Sequence, residues 1–425
     1  MEPIVVLADD LTGAADTGIQ FLRVEKPAYM IRGSRLEDVQ FATPPDVLSV
    51  YTQTRGLSGE HAAIVVAKAA ATLSKIKPGL VYKKLDSCFR GNVGEELDAM
   101  LSTLQVQACF IAPAFPEQGR TTIHGVHYLH GVPVSETEMG HDPVSPVKDS
   151  RLVFLLSTKS RYQVGQIDVD DYAHGREFVK NKVQIQLEKG CRHIVFDAVE
   201  QSHLDMVAEL GNLFFTDTLF AGSAGLAASV TRSLKNGTGL SGAHQLPVTG
   251  NTNMLFVCGS ASEKTTQQVK RLLAESNRPN IVLKAGLLAN TLDEHLPQQL
   301  TLNASRLFKK HSLVIQLSPR PEQGFDFNPD MVLQGLARIT QELLRMQKPA
   351  CLFLSGGDTA DGVLQKTKVK YVQLKSELMP GVVQGCCCGG LLDQVPVATK
   401  AGSFGNSDIL LQVLQKMSST GMDIQ

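Results

Sequence analysis

The sequence predicts an α/β protein of two domains, each a mainly parallel sheet flanked by helices, with the active site in the cleft between them. Three observations carry this. Short apolar, β-branched runs alternate with segments of helical spacing along the chain, as strand–helix–strand units require. At 425 residues the chain exceeds one ordinary domain and suits two. Residues 235–252, KNGTGLSGAHQLPVTGNT, shift to Gly, Ser, Thr, Asn and Pro and read as a linker. The expected division is a first domain over 1–235, a linker over 236–252 and a second domain over 253–425.

Composition narrows the function. A net charge of −1 argues against nucleic acid or membrane recognised by bulk charge. Apolar content of 43% and charged content of 20% are those of a soluble globular chain. No apolar run is long enough to span a bilayer, and the N-terminus enters a strand without a basic leader, so a cytoplasmic location is expected. A homo-oligomer is left open. Eight Cys in a chain of this size are not a disulfide framework. Cys386-Cys387-Cys388 do not match the C-x2-C spacing of zinc sites, and no role attaches to them.

The first strand is Ile4-Val5-Val6-Leu7, which hands over to Asp9 and Asp10, then Thr12 and Gly13, before a helix over 14–22. Ligands of open α/β sheets bind beyond the carboxyl ends of strands, so these carboxylates are site candidates; as turn and N-cap residues they would need no ligand. Strands at 28–31 and 47–51 follow, the second running into Thr52-Gln53-Thr54-Arg55. Arg55 offers a planar fork for a carboxylate. After a helix over 60–75, the strand Leu80-Val81-Tyr82 delivers Lys83, Lys84, Asp86, Ser87, Arg90, Gly91 and Asn92, and then a helix over 93–104. Lysine as a point charge and Asp86 as general base or metal ligand suit an anionic substrate.

A strand over 108–112 runs into a Pro- and Gly-fixed loop presenting Arg120. His124, His127 and His130 stand three apart, but their Gly-bounded segment reads as a hairpin, whose alternating faces would part them. Residues 135–151 read as a loop able to cover a site. Strands are expected at 153–156 and 193–198, with helices over 172–188 and 203–213. The small-residue turn at 220–227 fits either close ligand approach or tight helix packing.

In the second domain, three strands end in Gly-rich turns: 254–258 into Gly259-Ser260, 351–354 into Ser355-Gly356-Gly357-Asp358-Thr359, and 395–399 into Lys400-Ala401-Gly402. Together they suit phosphates held by main-chain amides, with Asp358 or Thr359 near a metal ion. No Walker A loop occurs. An anion site in one domain and a phosphate site in the other point to phosphoryl transfer.

The motifs ADDLTGAADTG, KKLDSCFRGN, APAFPEQGRTT, GSAGLA, CGSASEKT, SGGDTADG and KAGSFG, in this order, resemble the four-carbon acid sugar kinase family over nearly the whole chain. That resemblance implies ATP-dependent phosphorylation of the 4-hydroxyl of a tetronate, D-threonate or D-erythronate ahead of 3-oxo-tetronate. It implies ATP contacts at Ser260, Gly356, Gly357, Asp358, Thr359 and Gly402, with Mg²⁺ as the companion ion but no residue assigned as its ligand. It implies acid-sugar contacts at Asp9, Arg55 and the segment from Lys83 to Asp86. The resulting expectation gives the sugar carboxylate to Arg55 with Lys83 or Lys84, the hydroxyls to Asp9 and Asp10, and the proton to Asp86; Ser87 and Arg90 complete the substrate set.

Three other readings are weaker. Asp10-Leu11-Thr12 echoes a haloacid dehalogenase phosphatase, but Ala8 stands where its nucleophile would be. No G-x-G-x-x-G follows the first strand, which opposes a dinucleotide oxidoreductase. A non-catalytic sugar-acid sensor would keep the N-terminal cluster and need no nucleotide loops.

Overall fold

The first strand shows why the fold forms. All five residues of β1, Ile4–Ala8, are buried, the pattern of a strand covered on both faces. In the computed structural model, residues 2–23, 26–234, 253–260, 262–289, 295–318 and 328–419 are described. The expected linker over 236–252 lies outside them. Two compact units divide the chain, Met1–Ser241 and Gly242–Gln425.

The first unit begins with β1, α1 (Leu11–Gly18), β2 (Ala28–Arg32), β3 (Val47–Tyr51), α2 (Gly59–Ser74), β4 (Leu80–Lys84), α3 (Val93–Leu104) and β5 (Ala108–Ala112). A small antiparallel sheet follows: β6 (Arg120–Ile123), β7 (Val126–Leu129) and β8 (Val132–Pro133). Then come α4 (Leu152–Ser157), β9 (Gln163–Ile167), α5 (Arg176–Glu188), β10 (Cys191–Phe196), α6 (Gln201–Leu213), β11 (Thr218–Gly222) and α7 (Ala224–Leu234). The main sheet runs β2-β3-β1-β4-β11-β5-β10-β9, and every pairing in it is parallel. Ala8 pairs with both Tyr51 and Lys84, so β1, β3 and β4 end level with one another. That register brings the loops after these three strands together.

Two expectations change here. Residues 153–156 form helix α4 instead of a strand. Leu152 and Leu156 are buried one turn apart while Phe154 is exposed, a helical spacing too short to recognise in four apolar residues. The three histidines do sit on the β6–β7–β8 hairpins, and they separate: His124 pairs with Asp168 in the open, while His127 is buried. The turn at 220–227 is tight packing. A Cβ on Gly222 would strike the Ala112 carbonyl, and one on Gly225 would lie 2.9 Å from Phe115.

The second unit contains β12 (Met254–Cys258), α8 (Glu263–Ser276), β13 (Asn280–Leu283), α9 (Ala285–Ala289), α10 (His295–Phe308), β14 (Leu313–Leu317) and α11 (Pro329–Met346). It continues with β15 (Cys351–Ser355), α12 (Gly357–Lys366), β16 (Tyr371–Met379), β17 (Val382–Cys388), β18 (Pro396–Lys400) and α13 (Ile409–Ser419). Strands β13-β14-β12-β15-β18 are parallel, and β17 and β16 extend them antiparallel. Cys258, Ser355 and Lys400 pair across β12, β15 and β18, so these strands also end level. All eight cysteines are free.

The core of the first unit centres on Phe110 in β5, whose ring meets those of Phe196, Phe215 and Phe220 at 5.0–6.4 Å. Phe110→Ala would remove these contacts and leave a cavity. It should cost about 3–5 kcal/mol, read as a lowered urea midpoint of the first unit.

Candidate active site

At the carboxyl edge of the first sheet, Asp10 caps α1. Its side chain accepts from the Gly13 amide at 2.8 Å and from Thr12 Oγ1 at 3.0 Å. Gly13 is required there, because a Cβ would lie 2.6 Å from Asp10 Oδ1. Arg55, from the loop after β3, reaches three carboxylates at once. Its Nε donates to Asp9 Oδ2 at 2.7 Å, and its terminal nitrogens lie 3.1 Å from Asp10 and 3.6 Å from Asp86. Burial alone would push the Asp9 carboxyl up, but Arg55, Lys83 and Lys84 outweigh it and hold the pKa below the usual carboxylate value. Asp9 Oδ1 is buried and has no hydrogen-bond partner.

Asp86 is held differently. Its oxygens accept from the Cys88 amide at 3.0 Å and from Arg90 Nε and Nη2 at 3.1 and 2.8 Å. Burial raises its pKa, Arg90 and then Arg55 lower it, and the result lies well below the carboxylate range. The remaining arm of Arg90 donates to Asp142 at 2.8 Å, and the Gly91 amide donates to Ser145 Oγ at 2.8 Å. These two bonds tie the loop over 135–151 to the site. Gly91 has φ +100° and lies against Asp9 and Arg55, so a side chain there would be strained and would crowd the site. The Ser87 carbonyl accepts from His127 Nε2 at 2.8 Å, while Thr122 bonds Nδ1. Burial drives the His127 pKa down to about 4, so it is a neutral strut beneath the loop.

Adjacent residues of a strand face opposite ways, and the two lysines separate accordingly. Lys83 has no solvent exposure and pairs with Glu96 of α3 at 2.6 Å. This corrects the expectation that Lys83 holds a ligand carboxylate: its charge supports the site from beneath. Burial holds the Glu96 carboxyl up against the pull of Lys83. Arg55 is likewise committed to carboxylates of the chain. Lys84 differs: its Nζ donates to the Leu85 carbonyl at 2.5 Å and makes no ion pair within 4 Å among the described residues. Donors therefore remain on Lys84 for an anion.

In the second unit, the three Gly-rich turns converge. A Cβ on Gly402 would strike the Ser260 side chain, one on Gly259 would strike Thr359, and one on Gly356 would lie 3.3 Å from Thr359 and 3.6 Å from Ser260 Cβ. Gly356, at φ +104°, is the N-cap of α12 and supplies no side-chain cap. By contrast, Ser262 caps α8 by accepting from Thr265 N at 3.2 Å. The N-cap thus puts no side chain over the first turn of α12, the end of a helix that favours an anion. Asp358 is exposed and Thr359 buried. Glu96, Asp142 and Lys400 were not singled out from sequence. Glu96 sits on a buried helical face three residues into α3, and only tertiary packing reveals the other two.

A family model described as a sugar-binding N-terminal domain matches residues 4–230, and one described as a nucleotide-binding C-terminal domain matches residues 255–410. The chain is 29% identical to a D-threonate kinase of Salmonella typhimurium, over 97% of each protein. It is also 29% identical to a D-erythronate kinase of Heliobacterium modesticaldum, over 96% of this chain and 95% of that one. Identity to a 3-oxo-tetronate kinase of Pseudomonas savastanoi is 26%, over 97% and 96%. A crystal structure of a Salmonella typhimurium protein described as a putative tRNA synthase matches at a TM-score of 0.80 with 22% identity, over 98% of this chain and 100% of that one, which speaks to the fold alone. No helix among the described residues is long and apolar enough to cross a membrane.

Arg55→Met would leave Asp9, Asp10 and Asp86 without their shared cation, at a cost of about 3–5 kcal/mol near neutral pH. The sign of its pH dependence is fixed. Depressed carboxylates contribute stability above their unfolded pKa, near 3.8, and lose it as pH falls through the lower folded value. Without Arg55 these carboxylates hold protons more tightly. The gap in unfolding free energy between variant and wild type should therefore narrow as pH drops towards about 4, measured by denaturation at stepped pH.

Proposed function

Because the chain belongs to the four-carbon acid sugar kinase family, we propose that it transfers the γ-phosphoryl group of ATP to the 4-hydroxyl of a tetronate, D-threonate or D-erythronate. The observation that carries this reading is Asp9 Oδ1, a buried carboxylate oxygen with no partner, at a sheet edge where ligands bind. A substrate hydroxyl donating to that oxygen would satisfy it. Lys84, with donors to spare, takes the substrate carboxylate, and Arg90 adds a second contact where Asp142 yields it.

The sequence reading gave the proton to Asp86. Both Asp86 oxygens are held by Arg90 and its pKa is well depressed, so we assign it the orientation of Arg90 and Arg55. The 4-hydroxyl goes to Asp9. Phosphoryl transfer through a loose transition state asks little of a base and much of positioning, which suits a carboxylate of low proton affinity. In the second unit, the uncapped N-terminus of α12 and the amides near Gly402 receive the phosphates, with Ser260 alongside. Asp358 is exposed beside these turns, and one carboxylate with phosphates and hydroxyls is a donor set that suits Mg²⁺. Mg²⁺ held there would neutralise charge on the β- and γ-phosphates.

Incubating the protein with ATP–Mg²⁺ and each tetronate isomer, and locating the phosphate by NMR, tests the reaction. Phosphorylation of no tetronate would overturn it, and tetronate binding without ATP binding would leave a sensor. Asp9→Asn should lower kcat/KM by about 10²–10⁴ with KM for ATP held, while a near-normal rate would remove Asp9 from this role.

A further inference from the structure

Lys400 ends β18 with no solvent exposure, a rare place for an ammonium group. Its Nζ donates to three carbonyls of the segment that follows it: Ala401 at 2.6 Å, Gly402 at 3.1 Å and Phe404 at 3.0 Å. Helix α8 reinforces this. Thr265 Oγ1 donates to the Gly402 carbonyl at 3.0 Å, and Gln268 Nε2 donates to the carbonyls of Phe404, Gly405 and Asn406 at 2.9–3.3 Å. The carbonyls of this loop are thus gathered inward. In a trans peptide the N–H opposes the C=O, so the amides of Gly402 and Ser403 point away from the ammonium. Gly402 is also the residue packed against Ser260.

We propose that Lys400 is the positioning residue of the nucleotide site: by gathering the carbonyls of Ala401, Gly402 and Phe404 it turns the Gly402 and Ser403 amides outward as donors to the phosphates of ATP. This rests on the nucleotide reading of the second unit. Lys400 does not touch the nucleotide; it fixes the dipoles that do. A neutral amine has two protons and cannot hold three carbonyls, so the arrangement depends on charge.

Burial pulls the Lys400 pKa down to about 7, Cys258 on β12 opposes this, and Lys264 on α8 adds to it. Bound phosphates would favour the ammonium, so ATP binding should take up a proton above pH 7. Between about pH 7 and 10.4 the unfolded chain binds the extra proton, so Lys400 makes folding stability rise with pH while ATP affinity falls. The opposite signs separate the proposed role from loss of fold.

The test is calorimetry of ATP–Mg²⁺ binding to the whole protein at pH 8 in buffers of different ionisation enthalpy, with KM for ATP and for the tetronate followed from pH 6.5 to 9. Proton uptake and a KM for ATP that climbs about tenfold, with kcat and tetronate KM level, are expected. Lys400→Met should raise KM for ATP about tenfold at pH 7 and flatten its pH profile. Absence of proton uptake by the wild type, or an unchanged KM for ATP in a folded Lys400→Met variant, would overturn the assignment alone. Failure of the wild type to bind ATP would take the nucleotide reading down with it.

Discussion

The first unit depends on one guanidinium. Arg55 meets Asp9, Asp10 and Asp86, which come from the loops after β1 and β4, while Arg55 itself comes from the loop after β3. Burial by itself would raise the pKa of Asp9 and Asp86, and Arg55 opposes it at both. One planar fork reaches all three carboxylates and fixes three loops in a single geometry, which a lysine's point charge could not do. Beneath it, Lys83 and Glu96 pair in the dry interior, and beyond it Arg90 shares itself between Asp86 and Asp142. Charges of the chain are matched to each other so closely that little is left unpaired. Two groups at the carboxyl edge keep capacity for a ligand: Asp9 Oδ1, which can accept from a hydroxyl, and the Lys84 ammonium, which can donate to an anion.

The second unit solves a related problem with dipoles. Its three turns carry glycines where side chains would collide, which keeps their backbones close together. The cation is present, but sealed under the loop as an organiser. A substrate with hydroxyls calls for carboxylates that accept; a polyphosphate calls for donors. The two sheets meet these demands at their carboxyl edges by the same topological device.

Much of this was legible in the chain. An apolar run followed at once by polar residues located β1, β4, β12 and β15 and the loops beyond them, because buried parallel strands leave that contrast in sequence. Strand β9, Gln163–Ile167, carries too few apolar residues to show it. The alternating burial of β16 is present in its residues as a period of two, YVQLKSELM. In the site, the residues were found while their pairings were not. Lys83 and Lys84 must face opposite ways on a strand, so only one could meet a given ligand; which one depends on where α3 packs. Asp142 lies 52 positions from Arg90, and no local pattern announces that contact. Lys400 reads as an ordinary strand-end lysine until the loop is seen folded over it.

The crowding of Thr359 against Gly259 has an evolutionary meaning. The hydroxyl fills the space a side chain at position 259 would need, and Leu336 closes the other side at 2.9 Å. Neither position can change first without a clash or a hole. Drift at these turns must therefore pass through paired replacements, and the loop over 135–151 is constrained in its own way, by the polar contacts of Asp142 and Ser145 and by Met139 and Val147, which share a buried cluster with Cys88. The meeting of these turns is therefore the feature that such a scaffold is built to keep.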